Sequence, residues 1–172
     1  MPADDTVPLA PAPLTAGRQS EAAPLALLLA HPVFQGIPSA RLARLLGTLE
    51  PLIYSRGDVV ARAGAPAAGL LLAAGQDFRL ATPSGRDVVA AAPSCGEEIT
   101  AGIGCYALSA TAQHDGAGWL VPAAALTAFA AENPDCVARA VSLLASRLAL
   151  EPLAQPSAPP PSRRPHVGLT EI

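Results

Sequence analysis

The chain of 172 residues predicts an α+β fold, with short helices before and a longer helical stretch after a run of antiparallel strands closed as a sandwich or barrel. Two observations carry this. Apolar residues recur at helical spacing near both ends of the central body. Between Pro51 and about Val121 the texture changes to brief apolar runs split by glycine and proline, the pattern of many short strands with frequent turns. The length, with 51% of residues apolar, suits one domain with a sizeable core.

Residues 1–23 hold Pro2, Pro8, Pro11 and Pro13 among Ala, Thr and Ser, and read as a disordered arm because they offer too little apolar periodicity to offset ordering. The folded body spans 24–153. It opens with a helical stretch at Leu25–Ala30 and a turn-like HPVFQGIP. Ser39 then serves as N-cap for a helix carrying Leu42, Leu45, Leu46 and Leu49. Strands follow at LIY, VV, GLLLA, FRL, VVAAA and WLV. Gly57, Gly64, Gly75 and Gly85 sit where the chain must reverse, since glycine tolerates positive φ. The helical period returns after Pro122. Val137, Val141, Leu144 and Leu148 fall at i, i+4, i+7 and i+11 on one stripe, with Arg139, Ser142 and Ser146 off it. Such a stripe packs either on its own barrel or against a second copy as a dimer. Residues 154–172, beginning AQPSAPPPSRRP, form a Pro-rich disordered tail.

Composition excludes several functions. The net charge is −3 and the arginines are scattered with no basic stripe, so no nucleic acid and no anionic membrane is an expected partner. The longest apolar run, Leu25–Ala30, is far short of the roughly 20 residues of a spanning helix. Asp4, Asp5 and Glu21 precede it where a signal peptide needs positive charge, so a cytoplasmic location is expected. Cys95, Cys105 and Cys136 are odd in number and lack a CxxC, and read as reduced, buried, small apolar residues. His31, His114 and His166 are too dispersed for a metal cluster. Ser109, Ser142 and Ser146 lack a GxSxG elbow. No catalysis, metal or cofactor is expected.

The stretch YSRGDVVARAGAPAAGLLLAAGQDFRLATPSGRDVVAAAPSCGEE, with its surroundings over about 24–150, resembles the cyclic nucleotide-binding domain, particularly the sensor half of catabolite-activator (Crp/Fnr-like) regulators. The marks are His31-Pro32-x-Phe34; Tyr54, Gly57 and Val60; Gly64, Leu70, Leu72 and Gly75; Gly96-Glu97; Leu108-Ser109-Ala110; and Asn133-Pro134-Asp135 before the long helix. The resemblance implies an antiparallel β jelly roll (a double-stranded β-helix) flanked by N-terminal helices and a long C-terminal helix.

It also implies a phosphate-binding cassette from Gly96 to Ala110, in which a Glu binds the ribose 2′-hydroxyl and an Arg pairs with the cyclic phosphate. Glu97 matches the first, but the Arg position falls on Leu108, and no arginine lies between Arg86 and Arg139. Losing one partner of a buried charge pair costs about 2–5 kcal/mol, so cyclic AMP binding is expected to be weak or lost. The Thr-Ser pair that reaches the adenine in the catabolite activator aligns with Glu151-Pro152.

Within the cassette, Ser109 can donate a hydroxyl, backbone N–H groups after Gly96 can hold an anion, and Glu97 either accepts from a sugar or caps nearby backbone. Glu98 reads as a solvated surface charge. The helix-turn-helix expected after the long helix has no counterpart in the Pro-rich tail. The expectation is therefore a stand-alone, non-catalytic regulatory module acting on an unidentified protein partner, with a dimer through the C-terminal stripe. The alternative is a sensor of a cyclic nucleotide or another small ligand.

Overall fold

The structure is a computed structural model that describes residues 22–149, and nearly all of the assigned arm, the Pro-rich tail and Glu151-Pro152 lie outside them. Helix α1 (Ala22–Ala30) leads through a 3-10 turn (Pro32–Phe34) into α2 (Ser39–Leu46). Eight strands follow: β1 (Glu50–Tyr54), β2 (Val59–Ala61), β3 (Gly69–Ala73), β4 (Phe78–Ala81), β5 (Asp87–Ala92), β6 (Ser94–Cys95), β7 (Ser109–Ala112) and β8 (Gly116–Pro122). A second 3-10 turn (Glu97–Ala101) separates β6 from β7, and α3 (Ala123–Glu132) and α4 (Pro134–Ala149) close the body.

The strands form two four-stranded sheets, ordered β1-β8-β3-β6 and β2-β7-β4-β5, with antiparallel pairing throughout. Apart from the β4-β5 hairpin, neighbours in each sheet are distant in sequence while successive strands often change sheet, which is the jelly-roll arrangement expected. β3 is buried along its whole length, which explains why GLLLA reads as an unbroken apolar run. In β4, Phe78 and Leu80 point into the core and Arg79 points out. Phe34 meets Phe129 of α3 edge-on, with ring centroids 6.0 Å apart, and so ties the first 3-10 turn to the C-terminal helices.

Three local expectations are corrected. Ser39 is the first residue of α2 and not its cap; Pro38 holds the cap position with no side-chain bond, and α2 ends before Leu49. Gly75 lies outside the positive-φ glycines, and a Cβ there would meet Asp77; Gly57, Gly64 and Gly85 do have positive φ. β6 and β7 were not legible as strands, because SC and SATA are short and rich in small side chains.

α4 buries Cys136, Ala140 and Arg147. The stripe Val137, Val141, Leu144 and Leu148 is rotated by one residue from that face. Val141 is 54% and Leu148 40% exposed, whereas Leu144 packs partly on the core. The start of α4 is pinned by Asn133, which accepts from Arg41 at 3.0 Å and donates to the Phe129 carbonyl at 2.8 Å. Among the described residues no helix is long and apolar enough to cross a membrane.

Candidate functional site

The candidate cassette begins at Gly96, with φ +104°, where a Cβ would stand 2.7 Å from the Gly69 carbonyl oxygen and 3.1 Å from the Tyr106 ring. Both the left-handed backbone and the close approach to β3 require glycine here. Tyr106 holds the same place from the other side: its hydroxyl donates to the Gly69 carbonyl at 3.1 Å. The chain therefore turns sharply off β6 and carries Glu97 inward beneath α4.

Glu97 is fully buried, and each of its oxygens has a donor. Oε2 accepts from Arg147 Nη1 at 2.7 Å, and Oε1 accepts from the Ser94 hydroxyl. The Ser94 oxygen accepts in turn from Arg147 Nη2 at 3.1 Å and from His31 Nε2 at 2.9 Å. His31 Nε2 also lies 3.4 Å from Glu97 Oε1. On its other edge, His31 Nδ1 accepts the Val33 N–H at 3.3 Å, which leaves Nε2 as the ring's donor. Four side chains, from the cap of the first 3-10 turn, β6, the second 3-10 turn and α4, thus form one closed network. Burial by itself would push the Glu97 carboxyl up; the His31 hydrogen bond, the Arg147 guanidinium and the Ser94 hydroxyl outweigh it and hold the carboxyl at about 2.

Glu98 is not a solvated surface charge. It is buried, and its Oε1 accepts the Ala107 N–H at 2.6 Å, tying the two ends of the 98–107 loop together. Burial raises its carboxyl, with the Ala107 amide opposing. Burial, then Glu97 and Glu98, likewise raise the Cys95 thiol. Cys105, expected to be buried, is exposed in the loop instead, while Cys95 and Cys136 are buried as expected.

At the far end of the cassette, Leu108 is buried in the hydrophobic core. Ser109 Oγ accepts the Ala63 N–H at 3.0 Å, and Ala110 is fully buried in β7, paired with Leu80 and Ala61. The structure thus brings Gly96 and Glu97 together with Arg147, whereas Leu108, Ser109 and Ala110 serve sheet and core. Sequence reasoning missed Arg147 and Ser94. A signal existed: Cys136, Ala140, Leu143 and Arg147 share helical spacing, and an arginine on a buried stripe demands a buried acid.

A groove of about 390 Å³ lies between α1 and β3, lined by Leu27, Ala30, His31, Leu72, Gly75 and Pro93 among others. His31 thus faces both this groove and the network. Among the described residues, no group of three or more His, Cys, Asp or Glu side chains gathers to hold a metal ion.

The fold is similar to that of solved regulatory proteins, among them a sensor domain and a putative cyclic nucleotide binding protein. In particular, the chain is similar to the sensor domain of the transcriptional regulator DNR from Pseudomonas aeruginosa. Identity is 17% and the TM-score 0.57, over 76% of this chain and 99% of that one. It is similar to the Thermus thermophilus catabolite activator protein at 22% identity and a TM-score of 0.53, over 69% of this chain and 59% of that one. A cAMP-binding acyltransferase from Mycobacterium smegmatis follows at 24% identity and a TM-score of 0.52, over 75% and 41%. The chain therefore spans less than two thirds of the latter two. No family model and no curated protein matches the sequence. The same fold serves regulators and part of an enzyme, so by itself it assigns no chemistry.

Proposed function

We propose that this chain is a non-catalytic regulatory module of the cytoplasm that keeps the fold of a cyclic nucleotide sensor but acts through protein contact, without cyclic AMP. The observation that carries this reading is Leu108, buried in the core where the resemblance places the phosphate-binding arginine. A guanidinium there would need a desolvated partner, and a cyclic phosphate would meet hydrocarbon. Glu97 adds support, because both of its oxygens already accept from protein donors.

Thermal stability with and without about 1 mM cyclic AMP or cyclic GMP tests the reading. A ligand at 100 times its dissociation constant adds about 2.7 kcal/mol, so even a Kd near 10 μM would be plain. The expected result is no shift, and a shift of several degrees with either nucleotide overturns it. Leu108→Arg is expected to lose stability without gaining cyclic AMP affinity, because the core around it is closed.

The partner proposed is a second copy, met through Val137, Val141, Leu144 and Leu148, whose outward members Val141 and Leu148 are supported by their exposure. Val141→Glu with Leu148→Glu is expected to yield a monomer by sedimentation with no loss of fold. The groove beside His31 favours a second reading, a sensor whose small ligand enters between α1 and β3 and not at the cassette.

A further inference from the structure

We propose that the Glu97–Arg147 pair, completed by Ser94 and His31, is an internal latch that holds α4 on the second 3-10 turn with no ligand bound, so that the chain's own side chains set the helix position. This deepens the reading above and rests on it in one respect, that no nucleotide occupies the turn.

The inner face of α4 explains why a latch is needed. Cys136 and Ala140 are small, Leu143 and Leu144 are only partly buried, and apolar contact is non-directional, so packing alone fixes neither the roll nor the rise of the helix tightly. A guanidinium fork does both. Arg147 Nη1 points to Glu97 and Nη2 to Ser94, and two parallel N–H vectors admit one orientation. The acceptors are themselves held. Ser94 sits in β6 with its hydroxyl committed to Glu97, and His31 braces Ser94 while its other nitrogen is fixed by Val33. Side chains 8% and 1% exposed make the pair one that water screens little.

Position along the helix matters as much. Asn133 pins the start of α4, and Arg147 lies in its last turn, at the end with most leverage. With both ends fixed, the rotation that turns Val141 and Leu148 outward is fixed too. In a ligand-driven sensor that rotation would be the output; here it is built in.

Hydrogen exchange on the full chain tests the latch, comparing wild type, Arg147→Met and Arg147→Lys. Arg147→Met is expected to speed exchange of the amides in 140–149 by about tenfold or more beyond the loss of protection that β3 and β8 show through global destabilisation. Arg147→Lys, shorter and with a freely rotating ammonium in place of the planar fork, is expected to fall between. Wild-type exchange in α4 of both variants overturns the proposal. If Arg147→Met loosens β3 and β8 by as much as α4, Arg147→Lys decides: loss confined to α4 supports the latch, and full protection there overturns it. Adding about 1 mM cyclic AMP to wild type keeps the two ideas apart. Extra protection of α4 would sink the nucleotide-free function, whereas the latch stands or falls on the Arg147 variants.

Discussion

The segment from Gly96 to Ala110 begins in a closed polar cluster and ends in hydrocarbon, although both ends are equally buried. At the first end, Glu97 keeps its charge because Arg147, His31 and Ser94 surround it. At the second, Leu108 and Ala110 join the core and need no partner. The difference teaches that a buried position tolerates charge only where the fold itself brings the countercharge. Here that countercharge comes from α4, fifty residues further along the chain. Glu97 and Glu98 repeat the contrast at closer range. One is paired with a guanidinium and held low; its neighbour accepts a backbone amide and is pushed up by burial, which outweighs that bond.

Removing the countercharge breaks the comparison most severely. Arg147→Met strands a buried carboxylate and is expected to cost about 3–5 kcal/mol in urea denaturation. Adding Glu97→Gln to it should recover part of that loss, since the double variant has no charge left to strand. A double variant as unstable as the sum of the singles would mean that the two residues act independently. At the hydrocarbon end, Leu108→Ala is expected to cost about 2–4 kcal/mol through lost burial and the cavity left behind. A cost near zero would place Leu108 at the surface and undo its alignment with the arginine position.

The fold was legible because its signals are local. Glycine spacing, the apolar GLLLA run and the restart of helical periodicity after Pro122 each depend on neighbours in sequence, and they land on β3, α3 and α4. β6 and β7 escaped because SC and SATA carry no β-branched or aromatic run, and only the sheet around them makes them strands. The candidate site was half legible. Gly96 and Glu97 were singled out by resemblance, but the charged and ring partners of Glu97 lie 50 and 66 residues away, at Arg147 and His31. The helical spacing of Cys136, Ala140 and Arg147 points to a buried arginine but does not say which acid it meets. Glu98 was misread for the same reason: a carboxylate beside another looks solvated until a loop returns the Ala107 amide to it.

Acid sharpens the contrast within the polar end. The Glu97 carboxyl falls from 4.5 to about 2 on folding, so its contribution is complete above about pH 4.5 and is lost as pH falls toward 2. Wild type should therefore lose stability across that window, and Glu97→Gln should flatten the slope there. A slope that survives the substitution would assign the acid sensitivity to other carboxylates.

The smallest effect is expected at Glu98. Its carboxyl is raised on folding, so the sign reverses: what it adds to stability is present in acid and lost as pH rises through its folded value. Glu98→Gln keeps an oxygen for the Ala107 N–H and removes a charge that faces Glu97 across a low-dielectric space. What is lost is the charge assistance of one hydrogen bond, and what is gained is relief from desolvation and like-charge repulsion. The two nearly cancel, leaving a change within about 1 kcal/mol, and the balance moves toward the variant as pH rises through the folded value of the carboxyl. A loss as large as that of Arg147→Met would mean that Glu98, and not Glu97, balances the guanidinium of α4.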